Sequence, residues 1–246
     1  MARHLLLSLL RWIFILLFRM LTRVSVLGKE NLPREGGYIV ASNHLSEIEV
    51  PLVYLILNRE DTTALIADKH QQNPFFRWLV NTVGGIWINR AEADTHALRA
   101  ARDHLRTGGV LGIAPEGTRS PTGALIQAKT GTAYLAEVGS VPVIPVGVTG
   151  TWKAMPKIFT LKRPKITLRF GRPFSLPALD RRERDVGLQR NTDEIMCQIA
   201  ALLPPEFRGV YSQHARLVEL LEMQRADTSA LQEEKSLPLT DGSFQG

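Results

Sequence analysis

The chain has 246 residues, 44% of them apolar, 22% charged and 7% aromatic. These ordinary globular values exclude wholesale disorder, collagen and coiled coil, and the length accommodates one large domain or two small ones with a sizeable core. A single cysteine, Cys197, excludes an intrachain disulfide and a zinc site built mainly from cysteine, while a net charge of +6 favours anionic partners.

Residues 1–23 hold four arginines and no acid around the apolar run LLLSLLRWIFILLFRML. At 100° per residue, Arg3, His4, Ser8, Arg11, Arg19 and Thr22 share one side of a helix, and Leu, Ile, Phe and Trp12 fill the other. The pattern predicts a basic amphipathic helix lying in the headgroup region, with its arginines reaching lipid phosphate. A re-entrant placement is grouped with this first reading; a bilayer-spanning anchor is the second, since a span would bury Arg11. A cleaved signal peptide is the third, since Leu21-Thr22-Arg23-Val24 offers no small-x-small site. The segment holds no candidate catalytic residue, so its loss is expected to cost membrane binding more than site integrity.

Beyond it, short apolar runs alternate with helical patterns. Tyr38–Ser42, 63–67, Ile86–Ile88, 110–114 and 143–148 read as strands, and 47–58, 74–82, 93–107 and 130–138 read as helices. That alternation predicts an α/β domain with a largely parallel central sheet flanked by helices. Lys165–Phe170 alternates charged and apolar residues, as a strand nearer an edge does. Residues 183–203 form a last helical pattern before Pro204-Pro205, 212–224 are polar at helical spacing, and 236–246 are expected to fray. The organisation is thus a helix over 1–23, a domain over 24–211 and a polar helix and tail over 212–246. Between Glu137 and Asp180 there is no acid, against seven lysines and arginines, which suits a face turned to anionic lipid or to an acidic carrier.

The sequence contains no GxGxxG, GxxxxGK[ST] or GxSxG, so dinucleotide binding, P-loop hydrolysis and a nucleophile-elbow hydrolase lack support. Six histidines lack metal-ligand spacing, and Cys197 reads as a small buried hydrophobe in a helix. Three places carry candidate chemistry. Directly after the strand Tyr38–Ser42 comes Asn43-His44-Leu45-Ser46-Glu47-Ile48-Glu49. His44 is the general-base candidate, and Glu49, about one helical turn on, can orient it. Ser46-x-x-Glu49 also reads as a helix-capping box, and the two readings are compatible. After the strand at 110–114 comes Glu116-Gly117-Thr118-Arg119-Ser120, a loop in which glycine admits close approach, Arg119 grips phosphate and the hydroxyls donate. The third is Gly84-Gly85-Ile86-Trp87-Ile88-Asn89-Arg90, a short strand ending in arginine. Three strand ends with such groups point to one cleft.

Together these blocks resemble the glycerolipid acyltransferase family, in particular its 1-acyl-sn-glycerol-3-phosphate acyltransferase branch. Its Asn-His-x4-Asp block is matched by Asn43 and His44 with Glu49 in place of aspartate; Gly-x-x-Phe-x-x-Arg by Gly84, Trp87 and Arg90; Glu-Gly-Thr-Arg-Ser in full; and Pro-x-x-Pro by Pro142 and Pro145, in order, across roughly 25–205. The resemblance implies a glycerol-3-phosphate acyltransferase-like fold. It implies transfer of an acyl group from acyl-CoA or acyl carrier protein to the sn-2 hydroxyl of lysophosphatidic acid, giving phosphatidic acid in phospholipid biosynthesis. His44 and Glu49 would be catalytic; Arg90, Glu116, Gly117, Thr118 and Arg119 would bind substrate. Neither metal nor cofactor is expected, because the thiolate is a good leaving group. The alternatives are a related acyltransferase acting on another lysolipid or on glycerol-3-phosphate, and an inactive lipid-binding homologue. The expected setting is the cytoplasmic face of a membrane. Nucleic acid is not an expected partner, since 153–172 lacks interleaved aromatics.

Overall fold

A computed structural model of the chain describes the backbone of residues 2–89, 94–180 and 182–236, and the side chains of 5–89, 94–180, 182–227 and 229. The apolar runs form seven strands: β1 (Arg23–Leu27), β2 (Tyr38–Ser42), β3 (Thr62–Ala67), β4 (Ile86–Ile88), β5 (Val110–Ile113), β6 (Val143–Thr149) and β7 (Lys165–Phe170). They make one sheet in the order β1-β7-β6-β2-β5-β3-β4. β6, β2, β5, β3 and β4 run parallel, β7 is antiparallel to β6, and β1 lies parallel to β7. Eight helices accompany them: α1 (Ala2–Leu21), α2 (Glu49–Leu57), α3 (Pro74–Val83), α4 (Thr95–Arg106), α5 (Gly131–Gly139), α6 (Ala154–Phe159), α7 (Arg184–Ala201) and α8 (Ala215–Ser236). This is the single α/β domain with a mostly parallel sheet that the alternating pattern predicts.

The period-two rule decides the layers. Ile39, Ala41, Leu111 and Val143 turn to one face, where Ala101, Leu105, Leu135, Ile195, Met196 and Leu217 bury them under α4, α5, α7 and α8. Tyr38, Val40, Val110, Ile144, Val146 and Val148 turn to the other, against Leu52, Val53 and Leu57 of α2 and Phe18 of α1. Because the central strands are covered on both sides, they read as continuous apolar runs. Each fully buried aliphatic side chain contributes about 1.5–3 kcal/mol.

The structure differs from the sequence reading at several elements. β1, which the sequence reading leaves unassigned, pairs with β7 in the register Arg23↔Lys165 to Leu27↔Arg169, so β7 lies one strand in from the edge. α6 is an additional six-residue helix between β6 and β7. α2 begins at Glu49 rather than 47, and α8 continues to Ser236, the first residue of the stretch 236–246 expected to fray; the rest of that stretch falls outside the described residues.

The largest departure concerns α1. Arg11 does not reach outward to lipid phosphate: its Nη2 donates to the carbonyl of Leu55 at 2.8 Å, at the end of α2. That carbonyl is an unpaired acceptor of the last helical turn, and the guanidinium satisfies it. The Arg11 side of α1 therefore faces the protein, and Leu5, Leu9, Trp12, Leu16, Leu17 and Met20 are left exposed on the opposite side. Arg19 is exposed as expected, while Arg3 and His4 lie outside the described side chains. Among the described residues no helix is long and apolar enough to cross a membrane.

Candidate active site

Ligands of open parallel sheets bind beyond the carboxyl ends of the strands. Here that end gathers the loops after β2, β5 and β6. The first residue past β2, Asn43, is buried, and its side-chain amide pairs with the backbone of Val148 in both senses, Nδ2 donating to the carbonyl at 2.8 Å and Oδ1 accepting from the amide at 2.7 Å. A side chain acting as a strand residue fixes the point at which the chain leaves the sheet. Asn43 is a positioning residue that the sequence reading names without giving it work. A polar side chain at the end of an apolar strand is the signal that marks it.

His44 follows immediately. Its Nδ1 lies 2.9 Å from Glu49 Oε2, and its side chain is 15% exposed. A carboxylate at Nδ1 selects the tautomer with the proton on Nδ1 and leaves the Nε2 lone pair free to act as a base. Among the described residues Nε2 has no hydrogen-bond partner.

Glu49 is itself 2% exposed. A buried carboxylate must fill its lone pairs or lose several kcal/mol. It accepts from the backbone amide of Leu45 at 2.9 Å, from that of Ser46 at 3.1 Å, and from Thr151 Oγ1. The bond from Ser46 N is the returning half of a capping box, so the capping and orienting readings hold together. The forward half is absent, since Ile48 occupies the N-cap without a side-chain bond. Beginning α2 at Glu49 keeps the longer carboxylate within reach of His44. Thr151, two residues past β6 and fully buried, escapes the sequence reading because its partner is 102 positions away.

The loop after β5 is laced to the same turn. Glu116 Oε1 accepts from the His44 amide at 2.9 Å, and Oε2 accepts from Ile126 N at 3.0 Å. The Ser120 amide donates to the His44 carbonyl at 2.8 Å, and Ser120 Oγ donates to Ala124 O at 2.5 Å. Gly117 turns the loop with φ +67°, a left-handed conformation that favours glycine. Glu116 is 2% exposed, and burial pushes its carboxyl up to about 7 against the pull of the two amides. Both of its oxygens are taken by backbone amides, so it braces the loop from inside. Arg119 projects outward and is half exposed, its Nη1 donating to Glu47 Oε1 at 2.8 Å. Exposed ion pairs are worth little, so an incoming phosphate can take the guanidinium. Arg90 lies outside the described residues.

These groups open onto a cavity of about 840 Å³. Ser42, His44, Glu47, Glu49, Thr118 and Arg119 are among its polar groups, and Val53, Leu79, Val80 and Val83 are among its apolar walls. α1 contributes Leu7, Leu10, Arg11 and Phe14. The N-terminal segment is thus part of the cavity wall, a role that the sequence reading does not give it. An apolar cavity with few convergent polar groups is the usual form of a small-molecule site. On the opposite face of the sheet Cys197 is fully buried, and burial pushes its thiol up to about 12, which removes it as a nucleophile.

Glu116 gives a pH signature. Its ordinary carboxyl value of 4.5 is raised in the fold to about 7, so the folded state favours the protonated form. Its contribution to stability is complete below about pH 4.5 and is lost as pH rises through about 7. The Tm of the natural chain relative to Glu116→Gln should therefore fall across that window in thermal melts, and a difference flat in pH would contradict the assignment.

Comparison with known proteins agrees with the geometry. The sequence profile of the family described as Acyltransferase matches residues 23–149. A 1-acyl-sn-glycerol-3-phosphate acyltransferase of Saccharomyces cerevisiae is 28% identical over 158 residues, 62% of this chain and 52% of the relative. Those of Bacillus subtilis and Borreliella burgdorferi are 24% and 27% identical over 61% and 52% of this chain, covering 73% and 52% of their own lengths. The matches thus span about half of two of these three relatives. The crystal structure of the 1-acyl-sn-glycerophosphate acyltransferase PlsC from Thermotoga maritima superposes with a TM-score of 0.59 at 26% identity, covering 79% of this chain and 81% of that one. With more than half of its length matched by the family profile, the chain belongs to the Acyltransferase family.

Proposed function

We propose that the chain is an O-acyltransferase that moves an acyl group from acyl-CoA or acyl carrier protein to the sn-2 hydroxyl of lysophosphatidic acid, giving phosphatidic acid. The observation that carries the reading is the His44–Glu49 pair at the polar end of a deep apolar cavity that Arg119 also lines. The cavity suits an acyl chain, and the base and the arginine suit a hydroxyl and a phosphate on one small acceptor. The names of the relatives support that acceptor.

In this mechanism His44 Nε2 takes the proton of the acceptor hydroxyl, and Glu49 stabilises the imidazolium that forms. The oxygen attacks the thioester carbonyl, and collapse of the tetrahedral adduct expels the thiolate, which the imidazolium reprotonates. Transfer is direct and needs no acyl-enzyme. Arg119 leaves Glu47 to neutralise the acceptor phosphate, with Arg90 as a second cation and Thr118 as a hydroxyl donor. Gly117 lets the backbone approach, and Glu116 holds the loop.

The same proposal covers the setting. Residues 1–23 act as a membrane-associating helix on the cytoplasmic face, 24–211 as the transferase domain and 212–246 as a polar C-terminal helix and tail. The outward row from Leu5 to Met20 supports an interfacial position for α1, with its apolar side in lipid and its Arg11 side on the cavity.

The test is turnover of purified protein with radiolabelled acyl donors across lysophosphatidic acid, glycerol-3-phosphate and zwitterionic lysolipids. His44→Ala should lower kcat by roughly 10²–10⁴-fold while the protein stays folded. Arg119→Ala should mainly raise the KM for lysophosphatidic acid, as a phosphate contact kept in ground and transition states does. Near-natural kcat in the first variant, or an unchanged KM with lost kcat in the second, would contradict these assignments.

Glu49 separates orientation from capping. Glu49→Asp keeps the charge with a shorter reach and should retain most activity. Glu49→Gln presents an amide N–H toward donors and should lower kcat by roughly a hundredfold or more. Kinetics and melts of the pair check this; a fully active, equally stable Glu49→Gln would reduce Glu49 to a cap.

A further inference from the structure

We infer that the turn formed by α6 and the residues after it is a second lipid-contact element, separate in sequence from α1, whose Phe159 and Leu161 enter an anionic membrane surface. The inference rests on the reading of α1 as a membrane helix and extends it to another segment of the chain.

Phe159 and Leu161 are 78% and 73% exposed, the two most exposed large apolar side chains among the described residues. A short helix on a globular surface normally turns such side chains inward. Here only Ala154 is buried and Ile158 half-buried, while Met155 joins Phe159 outside. The backbone holds this arrangement against its own preference. Leu161 has φ 55° and Arg163 φ 44°, in the left-handed region that bulky residues avoid. Bonds from Leu161 N to Ile158 O at 2.9 Å and from Lys162 N to Lys157 O at 2.8 Å fix the turn. These bonds close the end of α6 through a left-handed residue, and the turn they fix presents Leu161 outward.

The surroundings identify what does. Lys153, Lys157, Lys162, Arg163 and Lys165 are all exposed in the same segment; Lys153 Nζ lies 4.1 Å from the centroid of the Trp152 ring, and none of the five forms an ion pair among the described residues. No acid occurs from 138 to 179 to neutralise them. The turn also adjoins α1. Arg163 Nη2 donates to the carbonyls of Arg19 at 2.9 Å and Thr22 at 3.3 Å, at the end of the helix whose outward side carries Trp12, Leu16 and Met20. Register places the turn at the active-site end of the sheet, since β6 ends at Thr149, paired with Thr167 near the start of β7. Apolar tips in a segment of lysines free of ion pairs match an anionic bilayer, with the tips at the acyl boundary and the ammonium groups at the phosphates. An acidic carrier protein would use the charges but not the exposed Phe159 and Leu161.

The test uses the full chain and vesicles of phosphatidylcholine with and without phosphatidylglycerol, read by flotation. Phe159→Ser/Leu161→Ser should weaken partitioning into the anionic vesicles by roughly tenfold. Its Tm and its turnover on detergent-dispersed substrates should stay unchanged. Lys157→Glu/Lys162→Glu should lose the preference for phosphatidylglycerol. Undiminished partitioning of Phe159→Ser/Leu161→Ser overturns the inference, and if that variant instead shows a raised KM for an acyl carrier donor, the patch belongs to the carrier. Trp12→Ser/Leu16→Ser tests α1 separately. Loss in that variant alone leaves the α1 reading standing and removes this one; loss in the α6 variant alone does the reverse.

Discussion

Glu49 places a full carboxylate at 2% exposure in the wall of an apolar cavity, and the site around it is arranged to make that tolerable. A buried charge needs hydrogen bonds on every lone pair. Two backbone amides, the Thr151 hydroxyl and the His44 ring provide them. Those partners come from the turn after β2 and from the segment after β6, so satisfying one carboxylate fixes two strand ends relative to each other. The orientation of the base is a consequence of the same requirement. A catalytic imidazole needs a partner at Nδ1, and the buried carboxylate needs a donor in that direction.

A second carboxylate repeats the device at one remove. Glu116 joins the His44 amide to Ile126, and Ser120 returns a bond to the His44 carbonyl. Asn43 ties the preceding residue to Val148. The backbone of residues 43 and 44 is thereby held from β6 and from the loop after β5, while the ring of His44 stays at the cavity. Arg119 is built in the opposite manner, exposed and paired with an exposed surface carboxylate, Glu47. A group that must hold its geometry is buried and over-bonded; a group that must exchange partners is left in solvent. The α6 turn extends the same logic to the surface in our proposal, with exposed apolar tips and exposed cations free of ion pairs among the described residues.

Much of this was legible in the sequence, and the reasons are local. β2, β4 and β7 are read with the observed bounds because aliphatic runs bounded by turn residues have few other folded states. The His44–Glu49 contact follows from a five-residue spacing. What escapes depends on long-range partners. β1 is five residues of mild alternation, and only pairing with β7 makes it a strand. The bonds of Thr151 and Glu116 cross 102 and 72 positions, which no local pattern encodes. α1 is the instructive error. Helical geometry sorts its side chains correctly and the apolar side is left outward, but the carbonyl of Leu55 at the end of α2 draws Arg11 inward rather than leaving it to solvent.

The central claim is that Glu49 fixes the state of the His44 ring, and the ring nitrogens report this directly. In protein labelled with 15N-histidine, with the His44 signals assigned by their loss in His44→Gln, the neutral ring should show a protonated Nδ1 and an unprotonated Nε2. Free histidine favours the other tautomer. A His44 ring protonated at Nε2, or exchanging between the two forms, would mean that Glu49 does not orient the base.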